Sequence, residues 1–373
     1  MQAETAQKAQ TEDFLPLNGM DHVEFYVGNA KQSAQFYRTI LGFHIRGYRG
    51  PETGCRDRAS YFLEQGKIRF VLTSAIRSDH PVAEHVARHG DGVRVLALEV
   101  DDAKKALEET SKRGAVTVQE LQEHSDQHGT VRTSAIATYG DTIHQFVERK
   151  DYKGRFFPGF EDLDIAPPAG EVGLVGIDHV VGNVELGRMN EWVRFYGEVL
   201  GFSQLIHFDD EAISTDYTAL MSKVMQNGTG KIKFPINEPA ESKKKSQIEE
   251  YLDFYGGPGV QHIALITGDI ISTVNKLKAQ GLEFLTIPHS YYEDLADRVG
   301  VIKEKIEDLQ DLGILVDRDD EGYLLQIFTR PIQDRPTVFF EVIQRRGSRG
   351  FGLGNFKALF EAIEREQARR GNL

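Results

Sequence analysis

The chain has 373 residues, a formal net charge of −13 and a pI near 5.5, so it lacks the basic footprint that nucleic-acid binding requires. Its 40% hydrophobic and 27% charged content is that of a globular protein, and no apolar run approaches the roughly 18 residues that span a bilayer. Cys55 is the only cysteine, which excludes an internal disulfide and a thiolate zinc cluster and fits a reducing, cytoplasmic setting.

Residues 1–13 are polar, lack the apolar stretch of a secretory signal, and are expected to be disordered. Gly19-Met20-Asp21-His22-Val23 then opens a strand. A helical stretch follows, ending at Phe36-Tyr37 and Leu41-Gly42-Phe43. Gly92-Val93-Arg94-Val95-Leu96-Ala97-Leu98 reads as another strand, followed by a helix over 103–113 before Gly114. Residues 158–170, acidic and carrying Pro167-Pro168, read as a linker between an N-terminal domain (14–157) and a C-terminal domain (171–373).

The landmarks then return. Gly176-Ile177-Asp178-His179-Val180 repeats the first strand, Phe195-Tyr196 and Leu200-Gly201-Phe202 repeat the helix end, and Gly259-Val260-Gln261-His262-Ile263-Ala264-Leu265 repeats the later strand. A period of roughly 160 residues marks a duplicated domain rather than a solenoid. Each half runs strand, helix, strands, strand, helix, strands. This predicts an α+β fold of duplicated βαβββ modules forming two open, barrel-like domains. Near the end, Gly350-Phe351-Gly352-Leu353-Gly354-Asn355-Phe356 has the wrong spacing for a dinucleotide loop. It reads as a hinge before an amphipathic helix whose apolar stripe is Phe356, Leu359, Phe360 and Ile363.

Three polar residues stand out inside apolar strands of the second half. On period-2 alternation His179 shares a face with Ile177 and Val181, His262 with Val260 and Ala264, and Glu341 with Phe339 and Ile343. A lone strand histidine is usually structural, and a buried carboxylate is rare unless it is paired or metal-bound. Two imidazoles and one carboxylate on separate strands, if they converge, form a face with open positions that suits non-haem Fe(II). Zinc accepts the same donors. In the first half His22 matches His179, but Val95 stands where the second half has His262. The register of Phe146-Val147-Glu148 against Phe339-Phe340-Glu341 is ambiguous. Only the C-terminal half is therefore expected to hold metal, with the other half serving packing or oligomer contacts. Gln326 and Phe328 share an aliphatic face, so Gln326 is either a core hydrogen bonder or a substrate contact. Ser222, Asn237 and Gln247 fall in less periodic stretches and read on their own as turn or surface residues.

Taken together, Asp178-His179-Val180-Val181-Gly182-Asn183, Phe234-Pro235-Ile236-Asn237-Glu238-Pro239, Gly259 to Leu265, Tyr323-Leu324-Leu325-Gln326-Ile327-Phe328 and Pro336-Thr337-Val338-Phe339-Phe340-Glu341 resemble the 4-hydroxyphenylpyruvate dioxygenase family of the vicinal-oxygen-chelate superfamily. The resemblance covers nearly the whole chain. It implies Fe(II) on His179, His262 and Glu341, and conversion of 4-hydroxyphenylpyruvate and O2 to homogentisate and CO2 in tyrosine catabolism, by a homo-oligomer (dimer or tetramer). It further implies substrate contacts at Ser222, Asn237, Gln247, Gln261, Gln326, Phe339, Phe351 and Phe356, pocket shape from Pro235 and Phe328, and gating by Asn355 and Phe356. Strand alternation points Gln261 away from the face of His262. The nearest alternative is 4-hydroxymandelate synthase, which shares fold, metal and substrate. A non-catalytic binding protein of the same fold, and a zinc or Mn(II) lyase or ring-cleaving enzyme, are more distant ones.

Overall fold

The computed structural model describes residues 13–208, 219–240 and 243–372; of the N-terminal stretch expected to be disordered, all but Asp13 lies outside the described residues. The first half runs β1 (Leu17–Tyr26), α1 (Ala30–Ile40), β2 (His44–Arg49), β3 (Arg58–Gln65), β4 (Ile68–Ala75), α2 (Pro81–His89), β5 (Gly92–Val100), α3 (Ala103–Lys112), β6 (Thr117–Asp126), β7 (Gly129–Ala137), β8 (Ile143–Glu148) and β9 (Glu161–Ile165). The second runs β10 (Leu174–Asn183), α4 (Met189–Leu200), β11 (Ser203–Phe208), β12 (Leu220–Gln226), β13 (Lys233–Pro239), α5 (Gln247–Tyr255), β14 (Gly259–Thr267), α6 (Ile270–Ala279), α7 (Leu295–Val299), α8 (Ile306–Leu312), β15 (Leu315–Arg318), β16 (Tyr323–Phe328), β17 (Phe339–Arg346) and α9 (Phe356–Arg370).

The helix limits have local causes. Asn29, Asp102 and Asp269 each cap a helix through a side-chain oxygen that accepts a backbone N–H of the first turn. Ser246 and Glu249 form a reciprocal capping box at the start of α5. Gly201 and Gly256 end α4 and α5 in the left-handed region that glycine enters without cost.

Each half therefore holds two βαβββ units side by side. The sheet orders are β6-β7-β8-β5-β1-β4-β3-β2-β9 and β11-β12-β13-β10-β14-β17-β16-β15, and apart from β9 one is the reverse listing of the other. The two units of each half meet along an antiparallel central pair, β1/β5 and β10/β14. Parallel partners flank that pair: β4 and β8 in the first sheet, β13 and β17 in the second. The segment expected to be a plain linker contributes β9, which pairs antiparallel with β2 at the edge of the first sheet. Its alternation is weak because it is an exposed edge strand, so period-2 patterning does not reveal it.

One continuous apolar core contains residues of both halves, including Val23, Phe70, Phe146, Val180, Phe234 and Phe340. Phe340 of β17 packs on Tyr37 and Phe70 of the first half. His144 of β8 lies 2.8 Å from the hydroxyl of Tyr196 in α4. The sheets thus present their central pairs against a shared interior.

Candidate metal centre

His179, His262 and Glu341 converge. In the strand register His179 of β10 lies opposite Ala264 of β14, and Ala264 lies opposite Glu341 of β17. The small Ala264 side chain leaves the space over which its two neighbours approach. His262 sits two residues earlier on β14. The Nε2 atoms of His179 and His262 lie 3.2 and 3.4 Å from the same carboxylate oxygen of Glu341, and all three residues are buried.

Two β-bulges aim the imidazoles. The β10/β14 pairing passes from Ile177↔Leu265 to His179↔Ala264, leaving Asp178 as an extra residue, and from Val181↔His262 to Gly182↔Val260, leaving Gln261 as another. Each extra residue bonds the Nδ1 of the histidine that follows it: Asp178 Oδ2 at 2.8 Å from His179, Gln261 Oε1 at 3.0 Å from His262. Engaging both Nδ1 atoms fixes ring orientation and leaves the Nε2 atoms for a ligand. Asp178 is itself held by a bidentate contact from Arg345 at 2.7 and 2.8 Å. Arg345 also donates to the carbonyls of Ser348 and Gly350, so one guanidinium ties the His179 support to the chain leading into Phe351.

Charge follows this geometry. Burial works to raise the Glu341 pKa, but the two imidazoles, His179 first, hold it at about 2, as an anion. Burial also opposes a charge on His179, yet Glu341 and Asp178 raise its pKa, whereas burial prevails at His262 and lowers it. The cluster thus carries one anionic oxygen shared by two imidazoles. That is a fitting donor set for a divalent ion, which would displace the His179 proton. Three donors on one side leave the opposite side for small ligands.

That open side faces a cleft lined by Ser222, Asn237, Gln247, Gln261, Pro235 and Phe328, with Phe339, Phe351 and Phe356 as aromatic walls. Phe339 stacks on His262 at 4.8 Å, and Phe351 meets His179 edge-on at 5.0 Å. The α9 stripe Phe356, Leu359, Phe360 and Ile363 lines the cleft.

Several sequence expectations need correction. Gln261 is not turned away: its bulge breaks the alternation and places it on the cleft wall. Ser222 and Asn237, read on their own as turn or surface positions, are buried cross-strand partners on β12 and β13, and Gln247 is the first residue of α5. Gln326 does not line the cleft. It is buried on β16 beneath Gly352, whose Cβ, if present, would come within 2.5 Å of its amide. Asn355 accepts from the Tyr291 hydroxyl at 2.6 Å rather than lining the cleft, which suits a hinge anchor. The ambiguous register resolves to Gln145 as the counterpart of Glu341, because Ala97↔Gln145 repeats Ala264↔Glu341. Glu148 instead receives the N–H of Ala103, as Gln344 receives that of Ile270.

Among the described residues a second group with ligand-type atoms, His85, His89 and Asp141, has another use. His89 engages the carbonyl of Tyr255 and the Asp141 carboxylate through its two ring nitrogens, and Arg88 binds the same carboxylate. It clasps α2 to α5 across the two halves.

Paired βαβββ sheets with two histidines on the central pair and a carboxylate on the flanking β17 define a metal-dependent enzyme of the vicinal-oxygen-chelate class. The model of the Glyoxalase/Bleomycin resistance protein/Dioxygenase superfamily matches residues 19–140 and 176–327. The chain is 49% identical to 4-hydroxyphenylpyruvate dioxygenase of Yarrowia lipolytica, over 95% of this chain and 93% of that one. It is 47% identical to the Caenorhabditis elegans enzyme of the same name, over 99% and 97%. A solved triple mutant of 4-hydroxymandelate synthase from Streptomyces coelicolor superposes with a TM-score of 0.83 at 33% identity, covering 95% of this chain and all of that one. The chain belongs to the 4-hydroxyphenylpyruvate dioxygenase family of that superfamily.

Proposed function

We propose that the chain is an Fe(II)-dependent dioxygenase that converts 4-hydroxyphenylpyruvate and O2 to homogentisate and CO2. The observation that carries this reading is the convergence of His179, His262 and Glu341 at the floor of an aromatic cleft closed by α9. Bound iron would supply chelation of the 2-oxo acid and activation of O2, with one oxygen atom entering the new carboxylate and the other the ring.

The chain's own residues do the rest. Asp178 and Gln261 hold the two imidazoles with Nε2 toward the ion. Ser222, Asn237, Gln247 and Gln261 offer hydroxyl and amide groups that orient the phenol and the oxo-acid chain, and Pro235 and Phe328 shape the wall. Phe339, Phe351 and Phe356 sandwich the ring, and the α9 stripe keeps water from the reacting centre. The free space is about 70 Å³, well under the roughly 300 Å³ of ordinary ligand pockets. Substrate entry therefore requires α9 to yield, pivoting at Gly352 and the Asn355 anchor.

No helix among the described residues is long and apolar enough to cross a membrane. We place the enzyme in the cytoplasm, where Cys55 stays reduced.

The test is product analysis with Fe(II)-loaded protein, 4-hydroxyphenylpyruvate and O2. Homogentisate with CO2 supports the reading. 4-Hydroxymandelate would move the assignment to the synthase, and substrate binding that survives chelation without turnover would move it to a binding protein.

A further inference from the structure

The first half contains the counterpart of the catalytic cleft, and it is open. A cavity of about 310 Å³ lies over the β1/β5 pair, within the size range of small-molecule sites. His22 lies on its wall where His179 lies in the other half. Asp21 Oδ1 holds the His22 Nδ1 at 2.7 Å, so Nδ1 carries the hydrogen and Nε2 is left without a partner among the described residues, on a residue that is 4% exposed. Phe156 and Phe157 stand edge-on to this imidazole at 5.2 and 5.7 Å, and Phe160 continues the aromatic wall.

The charges on the wall are unbalanced. Arg49 and Arg58 face Glu24 as the one carboxylate of the lining, and Glu24 already accepts from Thr73 at 2.6 Å. Arg58 is shared with Asp57. Arg49 has no carboxylate partner among the described residues. A half-buried guanidinium without a counterion, beside an aromatic wall and an imidazole nitrogen without a protein partner, is arranged for an anion carried on a ring. Val95 and Gln145 replace the second imidazole and the carboxylate of the metal face, so the anion need not compete with a metal-binding carboxylate.

We propose that this cavity is a second small-molecule site, which takes an aromatic monocarboxylate with its carboxylate on Arg49 and its ring against Phe157 and Phe160. The site binds without chemistry, since it lacks two of the three donors. It is independent of the activity assigned to the other half.

The probe is radiolabelled phenylacetate, which has the ring and the carboxylate but no 2-oxo group to chelate iron. Equilibrium dialysis is run on the full iron-loaded chain, on Arg49→Gln, and on Gln145→Trp, which fills the cavity from a half-buried position. Turnover of each variant reports that it is folded. The expected result is a binding component that weakens by roughly tenfold or more in Arg49→Gln, the scale of one lost charge-assisted hydrogen bond, and that disappears in Gln145→Trp, with turnover unchanged. An isotherm identical in all three proteins would place any bound probe in the catalytic cleft and overturn the proposal. Absence of binding to the wild type would overturn it as well. If Arg49→Gln loses turnover, Gln145→Trp alone decides.

Discussion

The two halves of the molecule share more than a sheet order. Both have the same pair of bulges, at Asp21 and Arg94 in the first and at Asp178 and Gln261 in the second. Both have an aspartate that bonds the next histidine and is gripped by an arginine four residues past the third ligand position: Asp21-His22 with Arg149, Asp178-His179 with Arg345. In each, that arginine also binds carbonyls of the following loop, Phe156 in the first half and Ser348 and Gly350 in the second. The Asp–His–Arg unit persists where Val95 and Gln145 make a three-donor face impossible. It is therefore architecture first: it pins the exit of the last strand to the bulge of the first. The metal face requires only two further side chains on that scaffold, and the closed cleft requires α9, which follows β17 alone.

Glu341→Ala should have the largest effect. It removes the anionic oxygen that both Nε2 atoms approach and leaves two imidazoles, so bound iron and turnover should both fall to background, read by metal analysis and oxygen uptake. His22→Ala, the matching position in the other half, should leave iron content and turnover essentially unchanged. Loss of iron on that change would mean the wrong half has been assigned the metal.

Ending the chain at Asn355 deletes α9 and with it Phe356, Leu359, Phe360 and Ile363 from the cleft. The three candidate metal donors stay in place, so metal content should hold while product per O2 consumed falls sharply. Retention of full coupled turnover would remove the gating role. Asp178→Asn comes next. It keeps the hydrogen bond geometry at Nδ1 but weakens the grip of Arg345, and iron affinity should drop by about 10- to 100-fold, the usual cost of losing a partner behind a metal ligand. Asp21→Asn should lower stability without touching iron affinity.

The repeat was legible because its landmarks are apolar strands and glycine-ended helices, which local patterning encodes. The three side chains that converge, His179, His262 and Glu341, are legible for a related reason: a histidine or glutamate on an apolar strand face is conspicuous. A bulge is not. It inserts one residue without changing composition, so strand alternation turns Gln261 away although it lines the cleft, and it does not distinguish Gln145 from Glu148. Ser222 and Asn237 were obscured because small polar residues on a strand look like turns until the neighbouring strand buries them. β9 leaves no alternation in the sequence because an exposed edge strand has no face to hide.

Acid should test the junction between the halves. Burial lowers the pKa of His144 to about 4 and that of His85 to about 3, from an ordinary value of 6.5. The unfolded chain then takes up these protons first, so the contribution is full above about pH 6.5 and falls as the pH drops toward 4. Each group can contribute about 1.4 kcal/mol per pH unit at most over that interval. The melting temperature should decline from pH 7 to pH 5, and His144→Gln should flatten the decline. An unchanged slope would shift the acid sensitivity to other groups.

The smallest expected effect is the most direct test of the comparison. If the metal face is two side chains on a shared scaffold, Val95→His with Gln145→Glu should create a second one. His22 is already oriented by Asp21, Ala97 already occupies the place of Ala264, and Gln145 already lies opposite it in register. The double variant should bind a second equivalent of Co(II) or Zn(II), seen by metal analysis after dialysis, and His22→Ala in that background should remove it. Affinity should be weaker than at the native face, because the residue bulged before position 95 is Arg94, which cannot accept from a histidine Nδ1 as Gln261 does. Adding Arg94→Gln should therefore tighten it. One equivalent in every variant would mean that the first sheet differs in strand geometry and not only in side chains, and the account of the metal face as a graft would fail.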